Sequence, residues 1–175
     1  MTALVVYESM FGSTKTVAEA IAEGLRASGP VRIVEVSTLA SSPGSTRLAD
    51  DITLLVVGAP THAFSLSRAN TRQDAAAQAP GGVISSGKGV REWLEALSLP
   101  TGGLPVACFD TKVAKPNLPG SAAKSAEKRL KGMGGRPVVA ARSFKVHGKA
   151  DGLLEGEADA ALAWGRALGG MRARL

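Results

Sequence analysis

The chain alternates between short apolar segments rich in β-branched residues and segments with the apolar spacing of amphipathic helices. The segments that predict strands are Ala3–Tyr7, Val31–Val36, Ile52–Val57, Val106–Phe109 and Val138–Ala141, with Phe144–Val146 as a possible continuation. The segments that predict helices are Ser13–Ala27, Gly89–Leu97, Ser121–Leu130 and Leu153–Leu168. Strands that are apolar on both faces need helices on both faces. The alternation therefore predicts a parallel sheet between two helical layers, a three-layer α/β/α sandwich.

Length predicts one domain spanning residues 1–175. Two connections do not fit the regular alternation. Ser37–Asp51 is rich in Ser, Thr, Pro and Gly and is expected to hold at most a short helix. Thr61–Lys88 is longer than most connections in a compact domain, with a plausible short helix at Asn70–Ala79. Such length indicates a functional loop or a mobile lid.

The chain has one cysteine, Cys108, which lies inside an apolar segment. This excludes a disulfide framework and a thiolate metal site, and it favours a buried structural thiol. No metal site is predicted. The sequence enters a strand without a signal-peptide pattern, and no apolar segment reaches the roughly 18 residues that span a bilayer. We therefore expect a cytoplasmic protein without membrane insertion.

The net charge is +6, and the positive excess is concentrated in one segment. Lys112–Lys149 contains ten basic residues and a single acidic residue, Glu127. Such asymmetry can steer acidic partners, membranes or nucleic acids toward a surface. Aromatic residues do not interleave the charges in the manner of a base-stacking surface, and no nucleic-acid motif occurs, so specific nucleic-acid binding is not predicted. The plainer alternative is a solvated basic helix face.

The turn Ser9–Thr14 joins the first predicted strand to the first predicted helix. The first backbone N–H groups of a helix lack partners, and the helix dipole favours an anion there. The hydroxyls of Ser9, Ser13 and Thr14 add donors, and Gly12 allows close backbone approach. The turn therefore predicts a phosphate site. The alternative is an ordinary strand-to-helix turn capped by Ser13.

Two further loops carry polar and aromatic side chains after predicted strands. If the strand order is 2-1-3-4-5, these loops adjoin the Ser9–Thr14 turn where the strand order reverses, which is where open parallel sheets bind ligands. Together they would form a slot suited to a flat heterocycle. The candidate residues are Pro60, Thr61, His62 and Phe64 after the third strand, and Phe109, Asp110 and Thr111 after the fourth.

The sequence Ser-Met-Phe-Gly-Ser-Thr at positions 9–14 resembles the flavodoxin phosphate loop, S/T-x-T-G-x-T, except at Phe11. The Ser-Met-aromatic-Gly variant and Gly-x-Pro-Thr at Gly58–Thr61 resemble flavin-dependent quinone reductases of the tryptophan-repressor-binding-protein type. The resemblance implies five parallel strands in the order 2-1-3-4-5 and the cofactor FMN. The residues that it implies as phosphate contacts are Ser9, Met10, Phe11, Gly12, Ser13 and Thr14.

The resemblance also implies positions for the flavin ring, between the loops that follow the third and fourth strands. Pro60, Thr61 and His62 would line one side, and Asp110 and Thr111 would contact the pyrimidine edge. Plainer alternatives stay open for individual residues. Pro60-Thr61 could be only a turn and His62 could be solvated. Phe64 could pack under its loop, and Asp110 could cap the following turn.

Two features depart from the usual flavodoxin pattern. No tyrosine follows the fourth strand, and the sequence pI of about 9.8 contrasts with acidic flavodoxins. Three functions remain open: an FMN electron carrier, an NAD(P)H-dependent quinone or flavin oxidoreductase, and a flavin-free interaction module. No dinucleotide or P-loop motif occurs. Because an NAD(P)H-dependent enzyme needs a site for the nicotinamide cofactor, this favours the carrier. No catalytic residue is predicted. We expect a redox partner protein, with an acidic protein as the candidate, to dock near Lys112–Lys149.

Overall fold

The computed structural model describes residues 1–174, which form strands and helices in alternation. The strands are β1 (Thr2–Tyr7), β2 (Val31–Glu35), β3 (Ile52–Pro60), β4 (Pro105–Val113), β5 (Arg136–Pro137) and β6 (Arg142–Val146). The helices are α1 (Ser13–Arg26), α2 (Val36–Ala40), α3 (Ala69–Ala77), α4 (Val90–Ala96), α5 (Ala122–Gly132) and α6 (Glu157–Arg172).

The sheet has the order β2-β1-β3-β4-β5, and β6 also pairs with β4. Every pairing between these strands is parallel. Helices α1 and α6 cover one face, and α2, α4 and α5 cover the other. The predicted α/β sandwich and strand order are confirmed.

The central strands are buried on both faces, as their apolar sequences require. Val5 and Val56 pack in the cluster under α1 and α6, whereas Val6 and Val57 pack in the cluster under α4 and α5. In-register pairing of β1 with β3 sets these alternating side chains side by side. Two hydrophobic cores therefore hold the sheet in place and fix the edge where its strands end.

The strand at the β4 edge of the sheet differs from the predicted one. The prediction of a strand over Val138–Ala141 is wrong, because these residues link β5 to β6 without strand structure. Val106 pairs with Pro137, and three residues later Phe109 pairs with Arg142, five residues beyond Pro137. Two extra residues therefore interrupt the ladder on the β5–β6 side. Val138 and Val139 still pack partly buried against the sheet, which is why their sequence imitates a strand.

The long connection from 61 to 88 is anchored near both of its ends. The Ser67 hydroxyl, fully buried, donates to the Glu8 carboxylate. The Ser85 backbone N–H donates to the Ser9 carbonyl at 2.8 Å. Helix α3 lies between these anchors. Both anchors therefore hold the ends of the connection beside the end of β1, and its mobility without a ligand stays a prediction.

Candidate functional site

An open cavity of about 330 Å³ lies at the carboxyl ends of β1, β3 and β4. Its volume falls within the range of small-molecule and cofactor pockets. It sits where the strand order reverses between β1 and β3. The lining residues are Ser9, Met10, Phe11, Ser13, Thr14, Pro60, Thr61, His62, Ala63, Thr71, Asp74, Ala75, Gln78, Thr111, Lys112, Val113, Leu118, Val146 and Lys149.

The β1–α1 turn folds around the Ser9 hydroxyl. The Ser9 Oγ accepts hydrogen bonds from the backbone N–H groups of Gly12, at 3.2 Å, and Lys15, at 3.3 Å. Gly12 precedes α1 with a φ of 106°, a left-handed conformation that a residue with a Cβ rarely adopts. Because the Ser9 hydroxyl accepts both bonds, its own proton remains free to be donated.

The first backbone donors of α1 belong to residues that line the cavity, and they have no acceptor among residues 1–174. Within residues 1–174, the N–H groups of Phe11, Ser13 and Thr14 have no hydrogen-bond acceptor. The first turn of α1 contains no acidic side chain. Free N–H groups at the positive end of a helix dipole form a site for an anion.

Two hydroxyls from different strand ends meet at the base of this turn. The Thr14 Oγ1 lies 2.7 Å from the Thr111 Oγ1, and both residues are buried. One of the two hydroxyls donates to the other, so a proton of the pair remains for a ligand. The contact ties the β1–α1 turn to the end of β4.

Ser85 supports the turn from the side, although no sequence pattern indicated it. The Ser9 N–H donates to the Ser85 Oγ at 2.9 Å, and the Ser85 Oγ donates to the Glu35 carboxylate at 2.6 Å. Burial alone would raise the pKa of Glu35, but hydrogen bonds from Ser37 and Ser85 outweigh it and lower the pKa. Ser85 lies 76 residues from Ser9 in sequence, so only the tertiary fold reveals the contact.

The loop after β3 makes a tight turn from His62 to Ser65, whose backbone groups exchange hydrogen bonds of 2.8 and 3.0 Å. Its two central residues, Ala63 and Phe64, have positive φ values of 44° and 71°. This conformation is strained for residues other than glycine or asparagine, and such strain concentrates at functional sites. The Phe64 side chain is 54% exposed at the tip of the turn and does not line the cavity.

His62 lines the cavity on the side opposite the α1 turn. Burial lowers the pKa of His62, and the positive charges of Lys149 and Arg72 lower it further. The imidazole is therefore neutral near pH 7 and can both donate and accept a hydrogen bond.

Asp110 lies beneath the cavity and holds the N-terminus of α5. Its Oδ2 accepts from the Ser121 hydroxyl, from the Ala123 N–H at 3.0 Å and from the Thr61 hydroxyl at 3.1 Å. Asp110 is fully buried, and its Oδ1 has no partner among residues 1–174. The carboxylate therefore caps the start of α5, whereas the sequence left open a cap of the turn directly after Asp110.

Phe109 points away from the cavity into the core under α6. Its ring makes edge contacts with the rings of Phe144, at 6.2 Å, and Trp164, at 6.3 Å. The fold therefore brings only part of the predicted set together. The predicted residues that line the cavity are Ser9, Met10, Phe11, Ser13, Thr14, Pro60, Thr61, His62 and Thr111; those that do not are Gly12, Phe64, Phe109 and Asp110.

Helix α3 supplies a wall that sequence reasoning did not assign to the site. Thr71, Asp74, Ala75 and Gln78 line the cavity from this helix. Arg72 fixes the helix by donating to the Ser67 hydroxyl at 2.8 Å and to the Glu92 carboxylate at 3.0 Å. A weak apolar pattern in α3 gave no signal for which side faces the pocket.

Glu8 completes this support and is itself fully buried. It accepts from the Ser67 hydroxyl and from the Val90 N–H, the latter at 2.9 Å. Burial raises the pKa of Glu8, against the lowering effect of these hydrogen bonds and of Arg72.

In residues 1–174, no group of His, Cys, Asp or Glu side chains converges as a metal site, and no helix has the length and hydropathy to cross a bilayer.

Comparison with known proteins adds an independent finding. The family model for flavodoxin matches residues 5–164. A flavodoxin from the domain Archaea superimposes with a TM-score of 0.63 at 16% identity, covering 99% of each chain. Oxidised flavodoxin 1 from Bacillus cereus gives 0.65 at 15% identity over 94% of this chain and 95% of that one.

A flavodoxin, WrbA-like protein from Agrobacterium tumefaciens gives a TM-score of 0.61 at 15% identity, covering 99% of this chain and 98% of that one. No curated protein sequence matches the chain. At these identities the structural likeness establishes the fold, and the match of the family model rests on the sequence itself.

Proposed function

Since the chain belongs to the flavodoxin family, we propose that it binds FMN at the cavity and carries electrons between partner proteins. The observation that carries this proposal is the N-terminus of α1, where the N–H groups of Ser13 and Thr14 lack acceptors in residues 1–174 and the first turn contains no acidic residue. A phosphate monoester is the anion that suits this site.

The donors present fit a phosphate in number and in kind. The N–H groups of Phe11, Ser13 and Thr14 and the hydroxyl protons of Ser9 and Ser13 can all donate, and each phosphate oxygen accepts. Gly12, with a φ of 106°, adds no side chain to the turn between these donors. Charge-assisted bonds of this type are about twice as strong as neutral ones.

The remainder of the cavity fits a planar aromatic group. Pro60, Thr61 and His62 form one wall, and Val113 and Leu118 supply apolar surface from the end of β4 and the loop after it. Thr111 offers a hydroxyl between these walls. Bound FMN would supply reversible electron transfer. The protein residues would hold the cofactor, limit water and set the local charge.

Asp110 has a different part in this proposal from the one that the family resemblance implied. Its carboxylate is held by Thr61, Ser121 and α5, so it would position Thr61 and leave contact with the cofactor to Thr61 itself. The end of β4 would then meet the cofactor through Thr111 and Lys112.

A second candidate is an NAD(P)H-dependent quinone or flavin oxidoreductase. The observation that favours it is the wall built by α3, because Thr71, Asp74 and Gln78 face the cavity beyond the loops that would hold a flavin. That wall could bound a substrate space. Steady NAD(P)H oxidation coupled to quinone reduction, saturable in both and lost on removal of FMN, would establish the enzyme and refute the carrier.

Titration of the flavin-free protein with FMN and riboflavin, followed by quenching of flavin fluorescence, tests the proposal. Because riboflavin lacks the phosphate, FMN should bind at least a hundredfold more tightly. Equal affinities would contradict a phosphate site at Ser9–Thr14. Absence of binding by both flavins would leave the flavin-free interaction module as the function.

A further inference from the structure

The basic residues of 112–149 separate into two groups at opposite ends of the sheet. Lys112 and Lys149 line the cavity, Lys115 follows the end of β4, and Lys124 lies in the first turn of α5. We call these four residues the mouth cations. Lys131 and Arg136 lie at the far end, in the last turn of α5 and at the start of β5.

In the part of the chain that the structure describes, none of the mouth cations pairs with a carboxylate. Lys115, Lys124 and Lys149 are exposed and form no ion pair within residues 1–174. The Lys112 Nζ donates to the carbonyls of Leu118 and Gly120, at 3.0 and 2.8 Å, which leaves its charge in place. By contrast, Arg129 pairs with Glu95 at 3.2 Å.

The acidic side chains at this edge lie mostly on one side of the cavity. Asp151, Glu155, Glu157 and Asp159 belong to the connection from β6 to α6 and to the first turn of α6, and Asp74 lines the cavity from α3. Lys112, Lys115 and Lys124 lie on the other side, at the end of β4 and the start of α5, which packs on the opposite face of the sheet from α6. The β4–α5 side of the mouth therefore presents a positive potential to an approaching molecule.

An apolar centre accompanies this basic rim. Leu118 is 49% exposed and lines the cavity, and Phe64 is 54% exposed at the tip of the neighbouring turn. The two loops are in contact, because a Cβ at Gly120 would overlap the backbone and Cβ of Phe64. A small apolar centre with a polar, charged rim is the common anatomy of a protein interface.

We propose that the mouth of the cavity is the docking surface for an acidic electron-transfer protein. This inference rests on the proposed function, since docking there would bring the partner close to the bound cofactor. Opposite charge would accelerate encounter and orient the partner, and Phe64 and Leu118 would be covered on contact. The apolar residues lie on two loops and form no amphipathic helix, which favours a protein over a lipid surface.

The test compares two double charge reversals that change the net charge equally. Lys115→Glu/Lys124→Glu alters the mouth without touching residues that line the cavity, and Lys131→Glu/Arg136→Glu is the matched distal control. The probe is an acidic plant-type [2Fe–2S] ferredoxin, with the basic haem protein cytochrome c as the counter-probe. Dissociation constants are measured by calorimetry at low and physiological salt, with flavin-loaded and flavin-free protein.

The mouth reversal should weaken ferredoxin binding at least tenfold, and the distal reversal less than threefold. Salt should weaken the wild-type complex strongly, because exposed charges are screened within about 10 Å at 0.1 M. Cytochrome c should bind more weakly than ferredoxin. Equal losses in both variants, no ferredoxin binding at low salt, or tighter binding to phosphatidylserine vesicles or duplex DNA would overturn the proposal.

The same samples distinguish this proposal from the proposed function. Flavin titrations of both variants should give the wild-type FMN affinity. Intact FMN binding without a ferredoxin preference overturns the docking surface alone. Failure of the wild-type protein to bind FMN overturns the proposed function, whereas ferredoxin binding to the flavin-free protein would still support the docking surface.

Discussion

Two helices, α1 and α5, begin at the same edge of the sheet but satisfy their N-termini in opposite ways. At α5, the N–H groups of Ala123 and Lys124 donate to Asp110 and Ser121. At α1, the N–H groups of Ser13 and Thr14 have no acceptor in residues 1–174. The two turns use similar hydroxyl residues, but in residues 1–174 a carboxylate accepts from the first turn of α5 and none accepts from the first turn of α1.

The difference shows what turns a helix N-terminus into a ligand site. Both helices carry a positive dipole end. Asp110 supplies the negative charge at α5 from within the chain, whereas the first turn of α1 contains no acidic residue. An anion from outside therefore has a place at α1 and none at α5. Ser13→Asp and Asp110→Asn would exchange these two properties.

The largest effect is expected when α1 receives a carboxylate of its own. Ser13→Asp would place a negative charge beside the proposed phosphate, and like charges about 4 Å apart cost about 4 kcal/mol near a protein surface. FMN affinity should fall at least a hundredfold and riboflavin affinity should hardly change. Ser13→Asn, similar in size but uncharged, is the control. A loss of the same size in Ser13→Asn would show that shape, not charge, causes it.

The reverse change removes the internal anion from α5. In Asp110→Asn, a buried carboxylate that accepts three hydrogen bonds is lost, which should lower the free energy of unfolding by about 2 kcal/mol. The ratio of FMN to riboflavin affinity should stay unchanged. Urea unfolding measures the first effect and fluorescence titration the second. A large fall in the ratio of FMN to riboflavin affinity, with an unchanged free energy of unfolding, would mean that Asp110 contacts the cofactor.

Sequence patterns predicted the fold and the α1 turn because both depend on local information. Apolar segments on β1 and β3 and the spacing along α1 determine burial directly. The turn at Ser9–Thr14 is contiguous, so its donors could be named in advance. By contrast, the strand at Val138–Ala141 was wrong because an apolar pattern does not encode register.

The opposite side of the cavity could not be predicted in the same detail. Asp110 faces α5 and Phe109 faces α6, since neighbouring residues of a strand point to opposite sheet faces. The position of α5 and α6, which are distant in sequence, determines whether Asp110 or Phe109 reaches the cavity. Ser85 and the α3 wall reach the site through tertiary contacts alone.

A smaller effect is expected from the hydroxyl that links the two strand ends. Thr14→Ala removes one of the buried hydroxyls at the base of the α1 turn and should weaken FMN about tenfold, in line with a lost bond to a charged group. Riboflavin binding should change little. Thr16→Ala, on the exposed side of the same helix, is the matched control. Equal losses for both flavins would place the phosphate elsewhere.

Ser85→Ala tests whether the α1 turn depends on its lateral support. The substitution leaves the Ser9 N–H without its acceptor, a cost of about 1 kcal/mol, so FMN affinity should fall about threefold to fivefold. The exposed neighbour Ser86→Ala should have no effect. If Ser85→Ala binds FMN as tightly as the wild type, the turn is held by its own residues and Ser85 is dispensable.

The smallest effect concerns His62 on the opposite side. Its pKa is lowered from 6.5 in the folded protein, so the unfolded chain binds more protons between the two values. The free energy of unfolding should therefore decline slightly as the pH falls below about 6.5. His62→Gln should flatten this part of the profile in urea titrations. An unchanged slope would assign the decline to other groups.

The most direct test follows the backbone amides themselves by two-dimensional ¹H–¹⁵N NMR of the flavin-free protein. On addition of FMN, we expect the Ser13 and Thr14 amide signals to move far downfield, and riboflavin should leave them almost unmoved. The Ala123 amide, already bonded to Asp110, should not respond to the phosphate. If the Ala123 and Lys124 amide signals moved and those of Ser13 and Thr14 did not, the result would contradict an anion site at α1.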